Sequence, residues 1–180
     1  MRKSKLLVIL IIILLGCQEK DALNMDAEQA PKMKYLNIKR GGYIDTTYRI
    51  LTKNKLIDSV YNLTYQYINE SDTISEYFSF PLYVDKGEDD SKDKFTLIGQ
   101  KEIKYLEKSY AVYKYYIDLE NADDLQMLYF FVPEFGVIIN KSAWWGNYDR
   151  LIDNGKNEDA DAIFFICEMI LYDSEFYKNY

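Results

Sequence analysis

The sequence predicts an α+β domain: a mostly antiparallel β meander of eight or nine strands, a curved sheet or an open barrel, with a C-terminal helix packed on it. Three observations predict it. Tyrosine-rich runs alternate apolar and polar residues with a period of two, the mark of strands with one wet face. A glycine pair, Gly41-Gly42, and charged clusters separate these runs at hairpin spacing. Only one long apolar run, near the C-terminus, falls at helical spacing. Tyrosine makes up 18 of the 180 residues, and that side chain suits a pleated, half-buried surface.

The elements follow in order. Residues 34–40 and 43–51 flank Gly41-Gly42, a hairpin signal. Asn54 is expected to mark the next turn. In residues 60–68 Tyr61, Leu63, Tyr65 and Tyr67 share one face, and Asn62, Thr64 and Gln66 the other. In residues 74–84 Ile74, Glu76, Phe78, Phe80 and Leu82 share a face, while Pro81 points to an edge or a bulge. Residues 85–94 form a charged loop. FTLIG and KEIKYLEK read as two shorter strands. In residues 109–119 Ala111, Tyr113, Tyr115 and Ile117 share a face. Residues 125–132 and 135–142 flank Pro133-Glu134 and are apolar on both faces, so both sides should be covered. The cover is residues 157–173. Asn157 is its expected cap, and Ala160, Ile163, Phe164, Cys167, Ile170 and Leu171 are its apolar face.

The first 16 residues have a different character. Arg2, Lys3 and Lys5 precede ten aliphatic residues, Leu6 to Leu15, and then Gly16 and Cys17. A charged start, a short apolar core and a small residue are the parts of an export signal. Ten residues are too few to span a bilayer, which takes about 20. Leu14-Leu15-Gly16-Cys17 resembles the lipobox of bacterial lipoproteins. The resemblance covers residues 1–20 and no more. It implies that the signal of residues 1–16 is cut before Cys17, that diacylglycerol and palmitate-type chains are attached there, and that the membrane is the partner through this lipid. Gln18 follows the cysteine where an Asp would imply inner-membrane retention. The implied address is the cell envelope, the outer membrane rather than the inner, periplasmic or surface-facing. Residues 17–33 read as lipidated cysteine and polar tether, about 50 Å long when extended, with a marginal helix expected around DALNMDAEQ. Residues 34–180 read as one globular domain.

Composition excludes several chemistries. Removing residues 1–16 takes away three basic and no acidic residues, leaving 19 basic against 29 acidic, a net charge of about −10. Such a chain repels phosphate backbones, so no nucleic-acid partner is expected. The sequence has no histidine. This removes Ser-His-Asp and Cys-His catalysis and His-based zinc sites. Cys167, within IFFICEMIL, is the only cysteine besides Cys17 and reads as core filler. An EF-hand frame at Asn157, Asp159, Asp161 and Glu168 has Ala162 where its turn needs glycine. No metal or other cofactor is expected.

Two regions are candidates for interaction. Tyr77, Tyr83, Tyr110 and Tyr116, with Lys114 among them, occupy the second faces of their strands. Tyrosine gives broad contact at low entropic cost. Trp144 and Trp145 are adjacent, so in an extended strand one of them faces outward. These residues suggest a non-catalytic binding or interaction module. The alternatives are a subunit or immunity-type partner in an envelope complex, or a hydrolase using paired carboxylates. The acids for that chemistry would be Asp123-Asp124 or Glu88-Asp89-Asp90.

Overall fold

The computed structural model describes residues 23–24, 30–68, 73–83, 94–118, 126–143 and 145–178. Ten strands occur among them: β1 (Leu23–Asn24), β2 (Lys32–Ile38), β3 (Ile44–Ile57), β4 (Val60–Ile68), β5 (Thr73–Pro81), β6 (Thr96–Tyr105), β7 (Lys108–Asp118), β8 (Gln126–Val132), β9 (Gly136–Ser142) and β10 (Tyr148–Asp153). A 3-10 turn at Asn157–Asp159 leads into α1 (Ala160–Tyr172), and α2 (Ser174–Lys178) follows. Nine strands form one antiparallel sheet in the order β5-β4-β3-β2-β10-β9-β8-β7-β6. Neighbours in sequence are neighbours in space, and β10 returns to pair with β2. The sheet is therefore an up-and-down ring, open between β5 and β6. β1 pairs with β3 at Lys53 and Asn54, outside this path.

Side chains draw the sheet into its curve. Tyr35 of β2 donates its hydroxyl to the carbonyl of Val137 on β9 at 2.8 Å. Tyr65 of β4 accepts the N–H of that same residue at 2.8 Å. Rings then fill the lumen: Tyr61 of β4 meets Phe131 of β8 at 4.9 Å. The open seam is bridged the same way. Phe80 of β5 packs on Phe95 and on Tyr115 of β7, each at 4.6 Å. The Tyr115 hydroxyl donates to the carbonyl of Pro81 at 2.9 Å. Such ring pairs add about 0.5–1.5 kcal/mol each beyond their burial.

The outer face of β9 and β10 is covered by α1, which buries Ala162, Ile163, Ile166, Cys167 and Ile170. The Cys167 sulfur lies 3.9 Å from the carbonyls of Ile138 and Leu151, and burial pushes its thiol up to about 12. Arg150 of β10 pairs with Glu168, and Lys101 of β6 with Asp173. β8 and β9 are thus buried on both faces, as their doubly apolar runs predict. No helix among the described residues is long and apolar enough to cross a membrane.

Several expectations need correction. Asn54 marks no turn: β3 runs through it, and its amide donates to the carbonyl of Pro133 at 2.9 Å. The turn is Asp58-Ser59, both at positive φ. FTLIG and KEIKYLEK are not two strands, because Thr96–Tyr105 is one strand with a bulge between Leu97 and Gly99. Asn157 does not cap α1. Asn154 does the local work, donating to Asp159 at 2.7 Å and accepting from the N–H of Lys156 at 3.0 Å. Phe164 faces outward under the guanidinium of Arg150, 4.8 Å away, and Ala162 and Ile166 take the core positions. Leu23 and Asn24, within the stretch expected to be helical, are strand; its other residues lie outside those described. β10 was not anticipated, for a reason taken up in the Discussion.

Gly136 opens β9 at φ +80°, and a Cβ there would run into the hydroxyl of Tyr65. Gly136→Ala should cost about 3 kcal/mol, from overpacking and a left-handed backbone together. Tyr65→Phe should cost about 1–3 kcal/mol by leaving the Val137 N–H unpaired. Urea denaturation should show the double variant less destabilised than the two losses added, because removing the hydroxyl relieves the clash. Strict additivity would contradict this packing.

Candidate functional site

The lumen changes character along its length. At the end where β3 meets β4 and β8 meets β9 it holds Leu51, Leu63 and Phe131, all within or against the buried core. At the other end β2 finishes, β3 and β10 begin, and Gly41 and Gly42 turn the chain at φ +102° and +83°. Here the inward residues are polar. β3 places Thr47 and Arg49 on the same phase as Leu51, and β10 places Asp149 on the same phase as Leu151.

Arg49 is the centre of this layer. Only 7% of it is exposed. Its Nη2 donates to Asp149 Oδ2 at 2.8 Å. Its guanidinium carbon lies 4.4 Å from the ring centre of Tyr35 and 5.1 Å from that of Tyr67. Tyr67 in turn donates to Glu76 Oε2 at 2.5 Å. Burial alone would lower the pKa of Arg49, but the surrounding phenols and Asp149 outweigh it, and the net shift is upward. The cation is fixed at any pH the protein meets. Its Nε is buried and has no hydrogen-bond partner among the described residues.

Above Arg49 lies an open cavity of about 190 Å³. Asn37, Ile38 and Lys39 of the β2 end, Thr47 and Arg49, Tyr67, and Asn147, Tyr148 and Asp149 line it. The rim is tied down. Asn147 Oδ1 accepts the backbone N–H of Arg40 at 2.8 Å, which leaves its amide nitrogen to donate. Thr47 Oγ1 lies 3.5 Å from Asn37 Oδ1. The arrangement offers one guanidinium, amide and hydroxyl donors, and one carboxylate already engaged. The exposed amine of Lys39 adds a second positive charge at the rim.

The interaction residues expected from sequence do not converge on one surface. Tyr77 is exposed on β5, and Tyr83 is exposed just beyond that strand at the far end of the barrel. Tyr110 is buried against Phe135 at 5.2 Å and presents no surface. Tyr116 is half-buried and registers with Thr96 and Leu128. Lys114 is buried beside Phe130 and Phe176, and burial, then Lys141, hold its amine down at about 8. Trp145 is exposed in the β9–β10 connection, at the same end as the cavity, with its N–H donating to Ser142 Oγ at 3.1 Å. Cys17, Trp144 and the acids at 88–90 and 123–124 lie outside the described residues. The described residues hold no group of three or more His, Cys, Asp and Glu able to bind a metal, and Ala162 of the EF-hand frame is buried within α1. Comparison with known family models, with curated proteins and with solved structures yields no match.

The site was missed because no inventory of reactive residues contains it. One signal was present on one side only: Arg49 stands on the phase of Leu51 in an expected strand, where a charge needs a buried partner.

Burial raises the pKa of Tyr35, Tyr61, Tyr65, Tyr67 and Tyr115, and pushes Tyr129 and Tyr177 up to about 12. Unfolded phenols ionise near 10. Their contribution is therefore complete below pH 10 and is lost as pH rises from 10 past 12. Urea midpoints should fall steeply in that window, with the phenolate absorbance of these seven rings developing together with unfolding. Full ionisation near pH 10 in the folded protein would contradict the burial of these rings.

Proposed function

We propose that this chain is a lipid-anchored, non-catalytic binding module of the bacterial cell envelope, held by acyl chains on Cys17 and presenting the cavity away from the membrane. The observation that carries it is where the chain enters the domain. Pro31 packs against Gly155, 2.6 Å from where a Cβ on that residue would lie, and β2 begins at the next residue. The cavity is lined by the opposite end of β2, about 20 Å further along a seven-residue strand. The pairing of β1 with Lys53 and Asn54 also lies toward the entry end. A protein tethered from Cys17 through that end would rest with its apolar floor toward the lipid and its polar mouth toward solvent.

The signal residues supply the anchor in this account. The short apolar core followed by Leu14-Leu15-Gly16-Cys17 favours cleavage and acylation over a permanent span. Several acyl chains hold a protein stably where one does so marginally. With the mature chain near −10, anionic headgroups give no second attraction. Gln18 after the cysteine favours the outer membrane where the cell has one.

Cys17→Ala tests the anchor. Labelled palmitate should no longer enter the protein, and the protein should leave the membrane fraction or keep its signal uncut. Unchanged labelling and unchanged sedimentation with membranes would overturn the proposal.

A further inference from the structure

A buried arginine without a complete set of acceptors calls for an explanation. Its guanidinium carries five N–H groups in a rigid fork. At Arg49, Asp149 takes one of them and the buried Nε has no partner among the described residues. Buried polar groups in folded proteins nearly always find partners, and exceptions point to an ion, a water or a ligand. Arg150 also has an unpartnered Nε, but it is not among the residues lining the cavity. Arg49 is, with its side chain only 9% exposed.

We infer that the cavity binds the carboxylate of a small organic acid, with the Arg49 guanidinium as its anchor. This rests on the binding-module proposal and names its ligand class. Three features select the chemistry. The rings of Tyr35 and Tyr67 lie against the guanidinium carbon, so a ligand in the cavity would meet the fork at its edge. A planar carboxylate suits that edge, because it meets the fork in two parallel hydrogen bonds. The charged residues lining the cavity are Lys39, Arg49 and Asp149, a net of one positive charge, with Glu76 hydrogen-bonded to the lining Tyr67, so a monoanion suits the site better than a dianion. A phosphate dianion would overload the site beside Asp149. Asn37 and Asn147 supply neutral amide donors at the wall for a second oxygen or a hydroxyl on the acid. About 190 Å³ admits a ligand of a few heavy atoms and no polymer. The cation is also already desolvated and held, so binding costs little reorganisation.

The test uses the full chain, purified in mild detergent and labelled with 15N, titrated at constant ionic strength with propionate, propionamide and inorganic phosphate. Propionate should shift the amides of residues 37–39, 47–49 and 147–149 saturably, and propionamide and phosphate should each bind at least tenfold more weakly. Arg49→Lys keeps the charge and loses the fork, so it should weaken propionate at least tenfold. Asn147→Asp serves as a second variant that leaves the buried pair intact. Its added negative charge at the rim should weaken propionate several-fold and leave propionamide unchanged. No saturable shift by propionate, equal affinity for the amide, tighter binding of phosphate, or unaltered affinity in both variants would each overturn the inference. Binding of the neutral amide at these residues would overturn the anion while leaving a binding module standing. Release of the Cys17→Ala protein from membranes is read separately, so failure of the anchor and failure of the ligand class are distinguishable.

Discussion

Val137 receives two phenols inside the lumen, one from β2 through Tyr35 and one from β4 through Tyr65. In the sheet order these strands stand two and four places from β9, so the two hydrogen bonds set a limit on how flat the sheet can be. Both hydroxyls are buried, and a buried hydroxyl without a partner costs about 1–3 kcal/mol. The curvature is thus enforced by polar atoms that have no other satisfactory place. Once it exists, Phe80 reaches Phe95 and Tyr115 across the seam, and β5 and β6 stay together without a shared backbone ladder among the described residues. Gly136 is required beside Val137 because the Tyr65 hydroxyl occupies the space where its Cβ would be.

The same curvature separates the two ends of the lumen. Aromatic rings fill the end near Tyr61 and Phe131, leaving space where the inward positions turn polar. There the cost of burying Arg49 is offset by Asp149 and by two rings facing its guanidinium. Removing one partner from such a pair costs more than the pair itself contributes. The chain enters at the filled end and the cavity opens at the other. A single architectural feature, one end filled with tyrosine and phenylalanine, therefore gives both stability and a direction to the open end.

Much of the fold was legible because Tyr61, Leu63 and Tyr65, or Phe78 and Phe80, alternate with polar residues along strands that are half wet. The doubly apolar runs of β8 and β9 likewise announced their cover, and the Ile163, Cys167 and Ile170 stripe announced the helix. β10 escaped because Tyr148-Asp149-Arg150 looks like a polar connection. Its two charges are satisfied on opposite sides of the sheet, Asp149 by Arg49 in the lumen and Arg150 by Glu168 on α1. Neither partner is local in sequence. The site was illegible for the same reason: Arg49 and Asp149 are separated by 100 residues and meet only because β10 returns to β2. Tyr110 shows the opposite failure, since its phase marked it as outward and the turn carrying Phe135 covers it.

The dependence of the fold on Val137 is open to direct measurement by native-state hydrogen exchange. The Val137 amide donates to a side-chain hydroxyl. If the two phenols set the curvature, this amide should exchange only on global unfolding, as slowly as the central ladder amides between β2 and β10, and Tyr65→Phe should bring it down to a local opening of low free energy. Fast exchange of the Val137 amide in the unmodified protein, while the ladder amides around it stay protected, would contradict the account.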